Sequence, residues 1–149
     1  MIILYQISTE VQMEIRNGDY TVTDNKEMVS RDLVKRYILD SSYWGKNRTE
    51  EQIDRSIDSS LCFSLLMNIE QIGFARVISD FATIYYLADV FVLEEFRGNG
   101  LGKWLVECVL AHEKLRGLRG MLNTKDAHSL YERFGFNVAE PQSTMIRLP

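Results

Sequence analysis

The chain has 149 residues, 46% of them apolar and 26% charged, which is long enough for one compact domain with a real core. Its 17 basic and 21 acidic residues give a formal net charge of −4, which argues against a nucleic-acid module and mildly favours a cationic substrate. Asp89 and Ser64 interrupt the two most apolar runs, and Met1 to Tyr5 is too short and lacks the basic start of a signal peptide, so no membrane is involved and a cytoplasmic protein is expected.

Residues 1–15 stand apart as an N-terminal extension or arm, because their apolar start has no evident partner; residues 16–149 read as a single domain. Asp19 to Thr23 alternates like a short strand. Asp24 or Asn25 can cap a helix running through Val29, Leu33, Tyr37 and Ile38, and Ser41 to Lys46 reads as a loop. Thr49 followed three residues later by Gln52 is a capping box, opening a helix that turns Ile53 and Ile57 inward. Leu61 to Met67 and Gln71 to Ser79 form a hairpin around Asn68-Ile69-Glu70, and Ala82 to Val92 is the longest strand.

A glycine loop follows, then a helix to about Lys114 and a turn bracketed by Gly117 and Gly120. Met121 to Thr124 is a short strand, Ala127 to Phe134 a helix ended by Gly135, and Phe136 to Val138 and Thr144 to Leu148 finish as strands. The predicted order is β-α-α-β-β-β-α-β-α-β-β. Three consecutive strands in mid-chain exclude a simple doubly wound fold and indicate an α/β (α+β) mixed sheet with helices on both faces. Cys62 and Cys108 are isolated and read as buried free thiols. His112 and His128 have no Cys or His partner at ligand spacing, so no metal is expected.

The loop Arg97-Gly98-Asn99-Gly100-Leu101-Gly102 lies between a strand and a helix, where backbone N–H groups and the helix dipole favour a phosphate. A Walker-type loop fails, because Arg97 stands where its first glycine should be and Trp104 follows Gly102-Lys103 in place of Ser or Thr. A dinucleotide fingerprint fails as well, because Lys103 occupies its third glycine position. What fits is Arg-x-x-Gly-x-Gly, the pyrophosphate loop of the GNAT N-acetyltransferase superfamily. The chain resembles that family over about residues 20–148, most closely over 86–136, where Leu130-Tyr131 and Gly135-Phe136 repeat the pattern of the family's last helix.

The resemblance implies a mostly antiparallel central sheet of about six to seven strands, splayed between strands 4 and 5, with acetyl-CoA held in the splay. The pyrophosphate would sit on the amides from Arg97 to Gly102, with Gly98, Gly100 and Gly102 allowing close approach and Asn99 and Leu101 contributing amides. Arg97 either adds charge near the phosphates or is a solvated surface arginine. Phe91 and Val92 match the segment whose main chain pairs with the pantetheine arm, and an N–H near Val92 would polarise the thioester carbonyl. Thr124 matches a family asparagine near the start of the last helix, with Asn123 beside it.

An alkyl amine with pKa near 10.4 must lose a proton to attack, which costs about 4–5 kcal/mol at pH 7 if done in advance. Tyr131 matches the family tyrosine that protonates the leaving thiolate; the alternative for it is packing on the apolar face of its helix. Asp89 interrupts an apolar strand three residues before Val92 and is the first candidate base, with a structural role as the alternative. Histone-type members carry a glutamate where this chain has Tyr86, so water relayed through Asp89 or Tyr86 is a further route. Tyr43 and Trp44 can cover an acceptor amine or anchor their loop, and only one of Tyr85 and Tyr86 can wall the same cleft. The function implied is acetyl-CoA-dependent transfer to a primary amine, on a small molecule or peptide, by direct transfer in a ternary complex, in a chain able to form a homodimer through terminal strands. The alternatives are a CoA-binding sensor without transfer and a transferase of another acyl group.

Overall fold

The computed structural model describes residues 11–43 and 45–149; residues 1–10 and Trp44, including most of the expected N-terminal extension, lie outside the described residues. The chain opens with β1 (Glu14–Asn17) and β2 (Tyr20–Thr23), followed by α1 (Arg31–Arg36) and α2 (Glu50–Asp58). Next come β3 (Leu61–Met67), β4 (Glu70–Ser79) and β5 (Ile84–Val92), and then α3 (Leu101–Leu110), β6 (Arg119–Met121) and α4 (His128–Glu132). The six strands lie in chain order in one sheet; every pair is antiparallel except β5 and β6, which run parallel. The expected class of fold is therefore observed, and the parting of strands falls between β5 and β6 because β1 adds one strand to the count.

The sheet is covered on both faces. On one face Phe63, Leu65, Val77, Tyr85, Leu87 and Val92 pack against Leu101, Leu105 and Val109 of the α3 side. On the other, Cys62, Phe74 and Phe91 pack against Val34, Ile38, Ile53 and Ile57. Burial of these apolar side chains, each worth about 1.5–3 kcal/mol, holds the two layers on the sheet. The capping box at Thr49 forms as its spacing predicts, with Gln52 N–H on the Thr49 hydroxyl and Thr49 N–H on the Gln52 side chain.

Four predicted elements differ. The single helix expected through Val29 and Ile38 is split. Asn25 caps a 3-10 turn at Lys26–Met28, and Ser30 then caps α1. Ser30 N–H donates to Gln71 Oε1 at 2.6 Å, which holds the chain extended between the two caps. The helix expected to Lys114 ends at Leu110, because His112 turns extended and accepts Lys114 N–H on Nδ1 while its Nε2 meets Asp24 Oδ2 at 3.0 Å. Beyond α4, Phe136 to Val138 and Thr144 to Leu148 join no ladder, and Val138, Met145, Ile146 and Leu148 are exposed. Alternation shows that a segment suits a half-buried strand, but pairing also needs a neighbouring edge in register.

The feature that shapes the site is a bulge in β5. Phe74 pairs with Phe91 and Arg76 with Ala88, so Asp89 and Val90 together face Ala75. Asp89 takes a left-handed conformation, φ 53°, which Asp tolerates better than most residues. The extra residue reverses the alternation. Tyr85 and Leu87 face α3, yet Phe91 faces α1 and α2 while Val92 returns to the α3 side.

Candidate active site

Beyond Tyr86, β5 leaves its parallel partner: the two strands pair only from Ile84 with Arg119 to Tyr86 with Met121. The close pairing at that point depends on a glycine, since a Cβ on Gly120 would meet the Tyr85 hydroxyl at 2.3 Å. From Leu87 to Val92 the outer edge of β5 has no strand beside it among the described residues. Leu93 N–H donates inward to Ile72 O on β4, whereas Val92 O accepts from Arg97 Nε at 2.9 Å. The N–H and C=O of one strand residue share an edge, so the Val92 amide points into the gap.

The glycine loop borders the same gap. After a 3-10 turn at Glu94–Phe96, Gly98 and Gly100 adopt left-handed φ values of 86° and 74°, with open space where a Cβ would lie. Gly100 is the N-cap of α3 and offers no side chain to the first-turn amides. The first helical bond is Trp104 N–H to Gly100 O. The amides of Leu101, Gly102 and Lys103 precede it and are the donors that every helix start leaves unpaired. The first turn carries no carboxylate and one lysine, Lys103. The start of α2 has the opposite character, with Glu50, Glu51 and a complete capping box. Positive charge at an uncapped helix start opposes the dipole preference of the helix itself and suits an anion. Leu101 is buried in the core and anchors this turn, while Asn99 is exposed.

Arg97 does not extend freely over the loop. Besides the Val92 carbonyl it reaches the Tyr37 hydroxyl, donated from Nη2 at 2.9 Å. Tyr37 lies at the start of a π turn, Tyr37–Ser41, and stacks on Phe91 with ring centroids 3.8 Å apart and 10° between planes. Phe91 is thus part of the α1 and α2 face, packed between Phe74 and Tyr37.

Tyr131 of α4 belongs to the same buried cluster as Val92 and Leu101. Tyr131 is buried, its ring edge-on to Phe136 with centroids 6.1 Å apart. Burial pushes its phenol up to about 12, with smaller contributions from Asp126 and Tyr43, so the hydroxyl is protonated at neutral pH. Tyr43 reaches the same place from the segment after the π turn: its hydroxyl lies 3.5 Å from Asp126 Oδ1, and Lys125 Nζ sits 4.9 Å from its ring centroid. Thr124 caps the turn into α4, accepting Ala127 N–H on Oγ1 at 3.0 Å. Tyr86 is half-buried on the face opposite Tyr85, in the cross-strand row Ile78, Tyr86, Met121. Trp44, expected beside Tyr43, lies outside the described residues.

Asp89 shares the face of Tyr86 but is enclosed. Its side chain is 2% exposed. Oδ2 accepts from Arg76 Nε at 2.8 Å, and both oxygens lie 2.9 Å from Arg48 Nη1. Arg76 also donates to Ser60 Oγ at 3.1 Å. Both carboxylate oxygens are thus engaged by guanidinium groups and shut off from water. Tyr37, Arg48, Arg76 and Asp126 were not singled out by sequence reasoning. Arg76 alone left a signal there, a charge inside the apolar run Ile72 to Ile78 that matches Asp89 inside β5. Both cysteines are buried, and burial raises each thiol to about 11, which removes them as nucleophiles at neutral pH. No helix among the described residues is long and apolar enough to cross a membrane.

A family model for the acetyltransferase (GNAT) domain matches residues 58–138, more than half of the chain. A Gibberella zeae protein named as an acetyltransferase is 28% identical over 137 residues, with 76% of each chain covered. The crystal structure of a protein described as a GNAT-family acetyltransferase from Xanthomonas campestris pv. campestris matches with a TM-score of 0.83 and 43% identity, covering 87% of this chain and 93% of that one. A GNAT-family acetyltransferase from Elizabethkingia anophelis, solved with acetyl-CoA bound, shares the fold with a TM-score of 0.61 and 20% identity, covering 83% of this chain and 80% of that one. A mixed sheet forked beside an uncapped glycine turn is thus the fold of an acyl-group transferase. The chain belongs to the GNAT acetyltransferase family.

Proposed function

We propose that this protein transfers the acetyl group of acetyl-CoA to a primary amine, directly and in a ternary complex. The observation that carries the reading is the open edge of β5, where the Val92 amide faces a gap beside the glycine turn, with Tyr131 in the same buried cluster as Val92 and Leu101. The amides from Gly98 to Lys103 fit a pyrophosphate, since the turn is uncapped, free of carboxylates and open above Gly98 and Gly100. A Cβ on Gly102 would meet only Val92 Cγ2, at 3.9 Å. The protein itself therefore leaves room for a side chain there, and a closely approaching ligand gives the glycine its purpose. Val92 offers its main-chain edge to the pantetheine arm while Phe91 packs behind it against Tyr37, and Val92 N–H polarises the thioester carbonyl and stabilises the oxyanion as the amine attacks. Tyr131 then protonates the departing thiolate, and the proton released by the attacking amine passes through solvent and restores the phenol.

Tyr43 and Tyr86 wall the acceptor side in this reading. The network around Asp89 favours a supporting role for that residue over proton transfer. Burial of both cysteines supports direct transfer over an acyl-enzyme. The deciding experiment combines titration calorimetry of CoA and acetyl-CoA with a thiol-release screen of acetyl-, propionyl- and succinyl-CoA against a varied amine library. The expected result is micromolar binding, and turnover with acetyl-CoA and at least one primary amine. Absence of CoA binding overturns the reading; binding without thiol release from any amine marks a sensor instead.

A further inference from the structure

The ion pairs of Asp89 connect two elements that the sequence keeps far apart. Arg76 belongs to the sheet and Ser60 to the end of the α2 layer, whereas Arg48 comes from the segment 42–49 that joins the π turn to α2. That segment is held at its start, where Ser42 Oγ donates to Ile38 O at 2.7 Å and accepts Gly45 N–H at 3.1 Å. Near its end, Arg48 lies on both oxygens of Asp89. Between these two anchors Tyr43 extends to Asp126, ahead of α4. Arg48 and Tyr43 therefore link the bulge of β5 to Asp126 and the surroundings of Tyr131.

Two charged groups as enclosed as Arg76 and Asp89 are a costly way to stabilise a fold, because apolar residues of similar volume commonly do as well or better. The bulge is also selective. At φ 53° the backbone favours Asp, Asn or Gly, and among these Asp alone can bind two guanidinium groups as an anion. We propose that Arg76, Asp89 and Arg48 form a strap that sets segment 42–49, and with it Tyr43, against the acceptor end of the gap. Asp89 and Arg48 are then positioning residues for the acceptor amine, and neither exchanges its proton. The proposal rests on the transferase reading for its link to the acceptor, but the strap itself is a property of the fold.

The test uses the full chain and three variants. Arg48→Met removes the charge at a side chain that is 32% exposed and keeps much of the stem. Arg48→Lys restores a cation without the fork. Asp89→Asn keeps a residue tolerant of the left-handed conformation and removes the anion. Hydrogen exchange at amides 42–49, CoA affinity by calorimetry, and thiol release from acetyl-CoA with spermidine, phenethylamine and lysine are measured for each. In Arg48→Met, exchange over 42–49 is expected to rise at least tenfold while CoA affinity stays within twofold. For whichever amine turns over, KM rises at least fivefold with kcat within twofold, and Arg48→Lys recovers part of that loss. Asp89→Asn follows the same pattern. Unchanged exchange in Arg48→Met overturns the strap, as does a tenfold loss of CoA affinity. A collapse of kcat at constant KM in Asp89→Asn, steepest at low pH, overturns the positioning role and returns Asp89 to proton transfer. If the native protein releases no thiol with any of the amines, the transferase reading is what fails, and the exchange measurement still decides the strap.

Discussion

Arg97 donates from Nε to the Val92 carbonyl at 2.9 Å, binding the first residue of the glycine turn back to the last residue of β5. Its Nη2 holds the Tyr37 hydroxyl, and Tyr37 stacks on Phe91. One guanidinium thus ties the turn, the open strand edge and the π turn of the opposite layer. Arg97→Ala is expected to loosen the Val92 peptide and lower kcat about tenfold, with CoA affinity changed less than threefold by calorimetry. A loss of affinity above tenfold that shrinks as salt is added would mean that the guanidinium meets the phosphates directly.

Tyr131→Phe separates proton donation from packing, since it removes the hydroxyl and keeps the ring against Phe136. Turnover is expected to fall about 10²–10⁴-fold, with CoA affinity within twofold. Unchanged turnover would take Tyr131 out of the acid role.

The raised pKa of Tyr131 also has a sign for stability. Burial, with help from Asp126 and Tyr43, moves the phenol from 10 to about 12, so the folded protein holds this proton more tightly than the unfolded chain does. The resulting stabilisation is complete below about pH 10 and is lost as pH rises through about 12. Melting curves between pH 9 and 12 should therefore show the native protein losing more stability than Tyr131→Phe; parallel losses would contradict the shift.

Gly100→Ala places a Cβ at φ 74°, where open space removes any clash and leaves only backbone strain. The expected cost is about 1–2 kcal/mol, read as a fall in Tm of about 2–4 °C per kcal/mol. CoA affinity should fall further than stability does, because the strained turn opens the cradle. Affinity that stays unchanged while Tm falls would dissociate this turn from the cofactor.

Cys62 and Cys108, both buried and raised to about 11, should resist iodoacetamide at pH 8 in the native protein and react once guanidinium unfolds it. Cys108→Ala should keep at least half of the thiol-release activity. Rapid native alkylation with loss of turnover would point to an acyl-enzyme.

Sequence alone determined the features that are local in origin. The capping box at Thr49, the hairpin around Asn68, the long strand into Val92 and the left-handed turn at Gly98 and Gly100 each arise from dihedral preference, side-chain caps or alternation within a few residues. Their order was sufficient to indicate a mixed sheet with helices on both faces. Tertiary structure decided what depends on pairs distant in the chain. Asp89 stood out in the sequence as a lone carboxylate in an apolar strand; the partners that enclose it are Arg76, 13 residues earlier, and Arg48, 41 residues earlier. The fold also brings Val92 and Tyr37 within reach of Arg97, contacts that the loop motif does not specify. The bulge that turns Phe91 away from the Leu87 face depends on register with β4, and the splitting of the first helix depends on Gln71 meeting Ser30. Propensity acts through neighbours in sequence, whereas ion pairs and register act through neighbours in space, and those come into being only when the sheet closes.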